Sequence, residues 1–149
     1  PLLSWSSNNI AIATISSSLA SGNGVATGIS VGTVTITASG FGTTGTASLE
    51  ITPAVPVGLQ ITPVSSSIAA GLTQNFIATT QMSDGSTRTV TNDPAVNWSS
   101  SNTAVATISS NLGSGNGVAK GVSMGSVTIT ASGFGFTRSA SLNITSAVP

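Results

Sequence analysis

The stretch "TVTITASGFGTTGTASLEIT", Thr33 to Thr52, decides the fold. Its centre, "GFGTTG" from Gly40 to Gly45, matches G-x-G-x-x-G, the glycine fingerprint of dinucleotide-binding folds. That fingerprint needs a strand before it and a helix after it, because the pyrophosphate sits on the helix N-terminus. It also needs an acidic residue about 20 residues further on. The strand is there, in "TVTITAS", but in place of the helix stands "TASLEIT", a second alternating run. Glu50 comes too soon for the acidic position and Asp84 too late. The stretch therefore reads as two strands joined by a glycine turn, where glycine permits the positive φ that other residues rarely adopt.

The same pair of strands occurs twice. Residues 1–56 align without gaps on residues 94–149 at a constant offset of 93, and 39 of the 56 pairs are identical. The third glycine of the fingerprint, Gly45, falls on Arg138 in the second copy, where a long side chain would obstruct a phosphate cradle. Such a period marks a tandem array. It predicts the C-terminal half of one unit over 1–51, a Pro-rich linker over 52–57 ("TPAVPV"), a complete domain over 58–145, and the start of another linker over 146–149. Two prolines in six residues favour an extended, stiff connection.

Composition narrows the partners. Charged residues are 4% of the chain, and the three acids Glu50, Asp84 and Asp93 balance Arg88, Lys120 and Arg138. Three scattered cations build no basic patch, so neither nucleic acid nor an anionic membrane surface is an expected partner. No apolar run is long enough to insert into a membrane as a helix. Serine and threonine make up roughly a third of the residues, so the solvated faces are expected to be hydroxyl-rich. With no net charge, such surfaces resist self-association weakly.

Period-two alternation dominates the chain. It places Val127 and Ile129 on one face of "VTITA", and Leu142 and Ile144 on one face of "ASLNIT". "GLQIT" contributes Leu59 and Ile61, "QNFIATT" Phe76 and Ala78, and "AVNWSS" Val96 and Trp98. "AVATIS" is expected to turn Ala104, Ala106 and Ile108 inward. In the first copy the corresponding core is Trp5, Val34, Ile36, Leu49 and Ile51. Seven or more short runs separated by Gly, Ser and Asn clusters read as an antiparallel β-sandwich, all-β, without helix. "SDGS", Ser83 to Ser86, is a hairpin signal of the Asp-Gly kind that favours primed turns. The "SGNG" runs at 21–24 and 114–117 mark a further turn.

The leading "L-x-I-T-P" at 59–63, the "DGS" turn, the "W-S-S-S-N" run with "VATI", and the "G-x-V-T-I-T-A" strand resemble the bacterial immunoglobulin-like domain, group 2. The resemblance covers 57–145 and the matching half in 1–51. It implies an immunoglobulin-like sandwich in tandem repeats of about 93 residues, in a surface or secreted bacterial protein such as an adhesin, or in a phage structural protein. It supplies no catalytic residues.

Little in the chain can do chemistry. Histidine and cysteine are absent, which removes the usual bases, thiol nucleophiles and zinc ligands. No enzyme activity, cofactor or firm metal site is expected. Asp84 and Asp93 form a weak calcium candidate, with Asn92 and backbone carbonyls as helpers. The competing reading is a turn residue at Asp84, an Asx turn at Asn92 to Pro94, and a simple ion pair with Arg88. Trp5 and Trp98 are read as core residues rather than sugar-stacking platforms. Phe41 and Phe134 are read as loop anchors capping the core, and Phe136 as an exposed residue. "NWS" at Asn97 and "NIT" at Asn143 are formal glycosylation sequons.

The expected function is that of a structural repeat module in an extracellular, cell-surface stalk or filament. The alternative is an adhesin-type module that recognises a receptor or glycan through loops at one end. Residues 57–93 are expected to pair with 94–145 and not with 1–51, giving units arranged end to end. The half-domain 1–51 is expected to be completed by strands from outside this chain, with other copies or adjacent repeats as the partners; the competing reading is that it is cut from a longer chain that carries the missing strands.

Overall fold

The computed structural model describes residues 3–148. Pro1, Leu2 and Pro149, at the outer ends of the first half-domain and of the last linker, lie outside them. The described residues are all-β, and no helix is long and apolar enough to cross a membrane. The chain divides into two compact units, residues 1–53 and 54–149.

The first unit holds β1 (Ser4–Ser7), β2 (Ala13–Ile15), β3 (Ala26–Gly28), β4 (Gly32–Gly40) and β5 (Thr43–Ile51). β1, β4 and β5 form a three-stranded antiparallel sheet, and β2 pairs with β3. The alternation in β4 points Val34 and Ile36 inward, and together with Ala13 they make a small core. Trp5, Leu49 and Ile51 pack against it but are only half-buried.

The second unit opens with β6 (Pro56–Thr62), β7 (Ser65–Ala69), β8 (Thr73–Asn75), β9 (Ile77–Met82) and β10 (Thr87–Thr89). It continues with β11 (Asn97–Ser100), β12 (Ala106–Ile108), β13 (Val118–Gly121), β14 (Gly125–Gly133) and β15 (Phe136–Thr145). One layer has the order β11-β14-β15-β7; the others are β10-β9-β6 and β12-β13-β8. Pro63 has no N–H to continue the β6–β9 ladder, which ends at Thr62, and β7 then joins β15 in parallel, Ser65 opposite Ser141 and Ile68 opposite Ile144. Leu59, Ile61, Phe76, Val96, Trp98, Val127, Ile129, Leu142 and Ile144 share one core. Its cluster is separate from that of Val34 and Ile36. Residues 57–93 thus fold onto the half C-terminal to them.

Five expectations need correction. "AVATIS" does not begin as a strand: Asn102 accepts the amides of Val105 and Ala106 with its carbonyl and that of Ala104 with its side chain. This turn exposes Ala104 and half-buries Val105, and the strand starts only at Ala106; Ile108 sits half-buried at the core margin. At "SDGS" only Gly85 has positive φ, 85°, and its amide donates to the Met82 carbonyl. The result is a three-residue loop rather than the primed two-residue turn. The stretch read as linker reaches into the domain, since β6 starts at Pro56 and Val55 exchanges two hydrogen bonds with Ser83. Phe41 is 68% exposed and caps nothing, whereas Phe136 is half-buried against the core.

The glycine stretch is a primed hairpin. Gly40 pairs with Thr43 across Phe41 (φ 55°) and Gly42 (φ 77°), and Gly133 pairs with Phe136 across Phe134 (φ 55°) and Gly135 (φ 83°). Positive φ at both central residues suits the right-handed twist of the flanking strands.

Candidate functional site

The carboxylates of the calcium candidate have separate local duties. Asp84 Oδ1 accepts from the amide and the hydroxyl of Ser86, which hold its pKa below the ordinary carboxylate value. Asp93 Oδ1 accepts from the Ala95 amide at 2.9 Å, so the Asx turn runs from Asp93 to Ala95, one residue beyond the expected Asn92 to Pro94. Its Oδ2 accepts from Arg88 Nη2 at 3.3 Å. The Arg88 guanidinium also lies 5.7 Å from the centre of the Phe134 ring. Among the described residues no group of three His, Cys, Asp or Glu side chains converges. Trp98 is buried and donates its indole N–H to the Thr91 carbonyl. Asn97 and Asn143 are exposed on β11 and β15.

The feature that stands out is a difference between the two copies. Locally they are built alike. The Trp5 amide donates to Ser17 Oγ as the Trp98 amide does to Ser110 Oγ. Ser16 Oγ donates to the Gly22 carbonyl as Ser109 Oγ does to that of Gly115. Asn23 and Asn116 each clamp the backbone of a leucine four residues earlier. Yet Asn116, Ala119, Gly121 and Ala140 are buried, while their equivalents Asn23, Ala26, Gly28 and Ala47 are exposed. The segment β6–β10 buries the second set, and among the described residues the first unit has no counterpart of it.

The uncovered face is apolar. Trp5, Ile36, Ala38 and Ala47 line a depression of about 240 Å³ on it. The outward faces are different: β14 and β15 present Thr128, Thr130, Ser139 and Ser141, opposed pairwise, and β4 and β5 repeat this with Thr35 opposite Ser48 and Thr37 opposite Thr46. The sequence signalled both faces, the first as a half-sandwich and the second as hydroxyl-rich alternation. It did not signal which residues would lose their cover, because identical residues have different neighbours.

Comparison with known proteins gives a family and a fold. The family of the bacterial Ig-like domain (group 2) matches residues 57–133, just over half of the chain. Ice-binding protein 1 of Shewanella frigidimarina (strain NCIMB 400) is 42% identical over 97% of the chain, which spans 15% of that protein's length. Among solved structures, the surface layer protein SbsC, domains 1–6, is similar with a TM-score of 0.58 at 24% identity, over 99% of this chain and 20% of that one. SbsC domains 4 and 5 give a TM-score of 0.57 at 23% identity, over 97% of this chain and 70% of that one. At that identity the likeness establishes the fold.

Proposed function

Because the chain belongs to the bacterial Ig-like domain family, group 2, we propose that it is a structural spacer: a run of repeats in an extracellular stalk or filament on a bacterial surface. The observation that carries this reading is the near-identity of the two copies, 39 of 56 pairs, loops included. A module that recognises a receptor or glycan through its end loops needs distinctive loop chemistry in one copy. Here the "SGNG" loops have the same residues and the same internal hydrogen bonds in both. A spacer requires only a stable, uncharged, repeatable unit. The module has no enzymatic role, and its partners are adjacent repeats. The open apolar face of the first unit supports completion by strands from another repeat.

The relative is named for binding ice, and a 15% span of it leaves that task to any part of the molecule. On the spacer reading this chain separates functional parts and does not itself contact ice. Concatenating residues 54–149 in one, two and four copies tests the role. The maximum dimension from small-angle scattering should grow by a constant step per copy. Growth as the cube root of mass would sink the spacer. Thermal hysteresis from the isolated chain at micromolar concentration would replace it with an ice-contact role.

A further inference from the structure

We infer that the depression between the end of β6 and the start of β15, centred on Arg138, binds a small hydroxylated carboxylate of the sugar-acid class. The sequence points there first. Residues 127–142 repeat residues 34–49 at every position except Phe136, Arg138 and Ser139, which stand where the first copy has Thr43, Gly45 and Thr46. The glycine turn before them and the alternating run after them are unchanged. Arg138 and Ser139 line a depression of about 330 Å³ together with Gln60, Ile61, Thr62 and Val64. At that size it admits one small molecule.

Alternation places Arg138 on the face of β15 that buries Ala140, Leu142 and Ile144, but at its outer end, where the side chain stays exposed. Its Nη1 donates to the carbonyl of Thr137, the preceding residue, at 3.1 Å. Among the described residues the ion pair of Arg88 with Asp93 has no counterpart at Arg138. Its other N–H donors are free for a ligand, and their planar fork matches a carboxylate in bidentate fashion.

The strand edges that flank the cation add backbone groups. β7 joins β15 only from Ser65 opposite Ser141, where the Ser141 amide donates to the Val64 carbonyl at 3.0 Å. Two residues earlier, Ser139 points its N–H and C=O the same way, away from β14, and β7 does not reach them. Across the depression, Ala78 accepts from the Val90 amide and donates to Thr91 Oγ1. Its strand partner Ile61 therefore directs its own N–H and C=O away from β9, on the side of the depression. Neither Ser139 nor Ile61 has a backbone partner on that side among the described residues. Amides beside a cation suit a carboxylate, and the two carbonyls, with Gln60 and Thr62, suit hydroxyls. A sugar acid satisfies both sets, whereas a bare anion or a neutral sugar satisfies one. An added strand does not fit, because β7 occupies the β15 edge from Ser141 onward.

The test titrates the intact 1–149 protein with glucuronate at constant ionic strength and follows amide NMR shifts. The Ile61 and Ser139 amides should move and saturate, while those of Gly45 and Thr46, the first-copy positions of Arg138 and Ser139, stay still. Acetate and glucose each carry one half of the chemistry and should bind more weakly by about tenfold or more. Arg138→Gly installs the residue that the first copy has there and should weaken glucuronate by about tenfold or more, as loss of a charged hydrogen bond does. Arg138→Gln should weaken it comparably, so that a folding defect in one variant does not decide the outcome. Acetate as tight as glucuronate overturns the sugar acid. No saturable shift at Ile61 and Ser139, or unchanged affinity in the folded variants, overturns the site. None of these results touches the spacer reading, because concatenated copies lengthen whether or not the depression is filled.

Discussion

The indole Nε1 of Trp98 donates to the Thr91 carbonyl oxygen at 3.2 Å, and Trp5, the same residue one repeat earlier, has no such acceptor among the described residues. Trp98 is also 5% exposed, while Trp5 is half-buried. Trp98→Ala should therefore cost about 3–5 kcal/mol, as large-to-small changes in a closed core do. Trp5→Ala should cost clearly less, because the cavity it leaves is already open on one side. Urea denaturation of the two variants checks this, and equal losses would count against the difference in cover.

Phe41 and Phe134 hold the same left-handed conformation with different compensation. A left-handed residue carrying a side chain costs about 1–2 kcal/mol, less for Asn, and Asn-Gly is the favoured pair for this turn. Phe41 is exposed, so Phe41→Asn should slow exchange in the β4–β5 hairpin by relieving the backbone at no loss of packing. Phe134 packs against the core and under Arg88. Phe134→Asn should be neutral or destabilising, since the buried ring area and a cation–π contact worth about 0.5–1 kcal/mol are given up. A gain of stability at both sites would show that the ring at Phe134 contributes nothing.

Asp84 gives the turn a pH dependence of known sign. Its folded pKa is depressed by the Ser86 hydroxyl and then by the Ser86 amide. A depressed carboxylate stabilises the fold above its unfolded pKa of about 3.9 and loses that contribution as pH falls through the folded value. The side chain is fully exposed, so the effect belongs to the hairpin tip and not to the domain. Carboxyl carbon NMR titration should place Asp84 below the ordinary range, and Ser86→Ala should move it up. An Asp84 that titrates normally in the parent contradicts the hydrogen-bonded turn.

Alternation alone made the sandwich legible, because each of β14 and β15 has one buried face and a period-two pattern has only one register that hides Val127, Ile129, Leu142 and Ile144. The parallel pairing of β7 with β15 was not legible, because alternation fixes which face a residue takes and not the direction of the neighbouring strand. The features that stayed hidden depended on neighbours distant in sequence. Ala104 looked inward by alternation, but the Asn102 side chain offered the backbone a competing turn. Phe41 and Phe134 are the same residue in the same kind of turn, but Arg88, from the 54–93 segment, lies over the second alone. The candidate site was legible as a missing half; its hydrogen-bonding rim required the second copy to be seen complete.

Gly117 and Gly24 form a matched pair that isolates what the covering segment does. Their φ angles are 75° and 76°, so an alanine pays the same backbone strain at each. A Cβ would meet the tryptophan ring at 3.1 Å in both places. Only at Gly117 would it also lie 2.6 Å from the Phe76 carbonyl oxygen, a backbone atom that cannot move aside without breaking the β-sandwich. Gly117→Ala should therefore destabilise the second unit by more than Gly24→Ala does the first, the excess measuring the clash with Phe76 and with Thr91, whose Cγ2 would lie 3.1 Å away. The difference closes once the open face is covered: with residues 54–93 joined ahead of Pro1, a Cβ at position 24 meets the incoming copy of Phe76. Gly24→Ala should then approach the Gly117→Ala penalty, read as the difference in melting temperature between the fused chains with and without the substitution. If Gly24→Ala costs the same with and without the added segment, that segment does not lie where β6–β10 lie on the second unit.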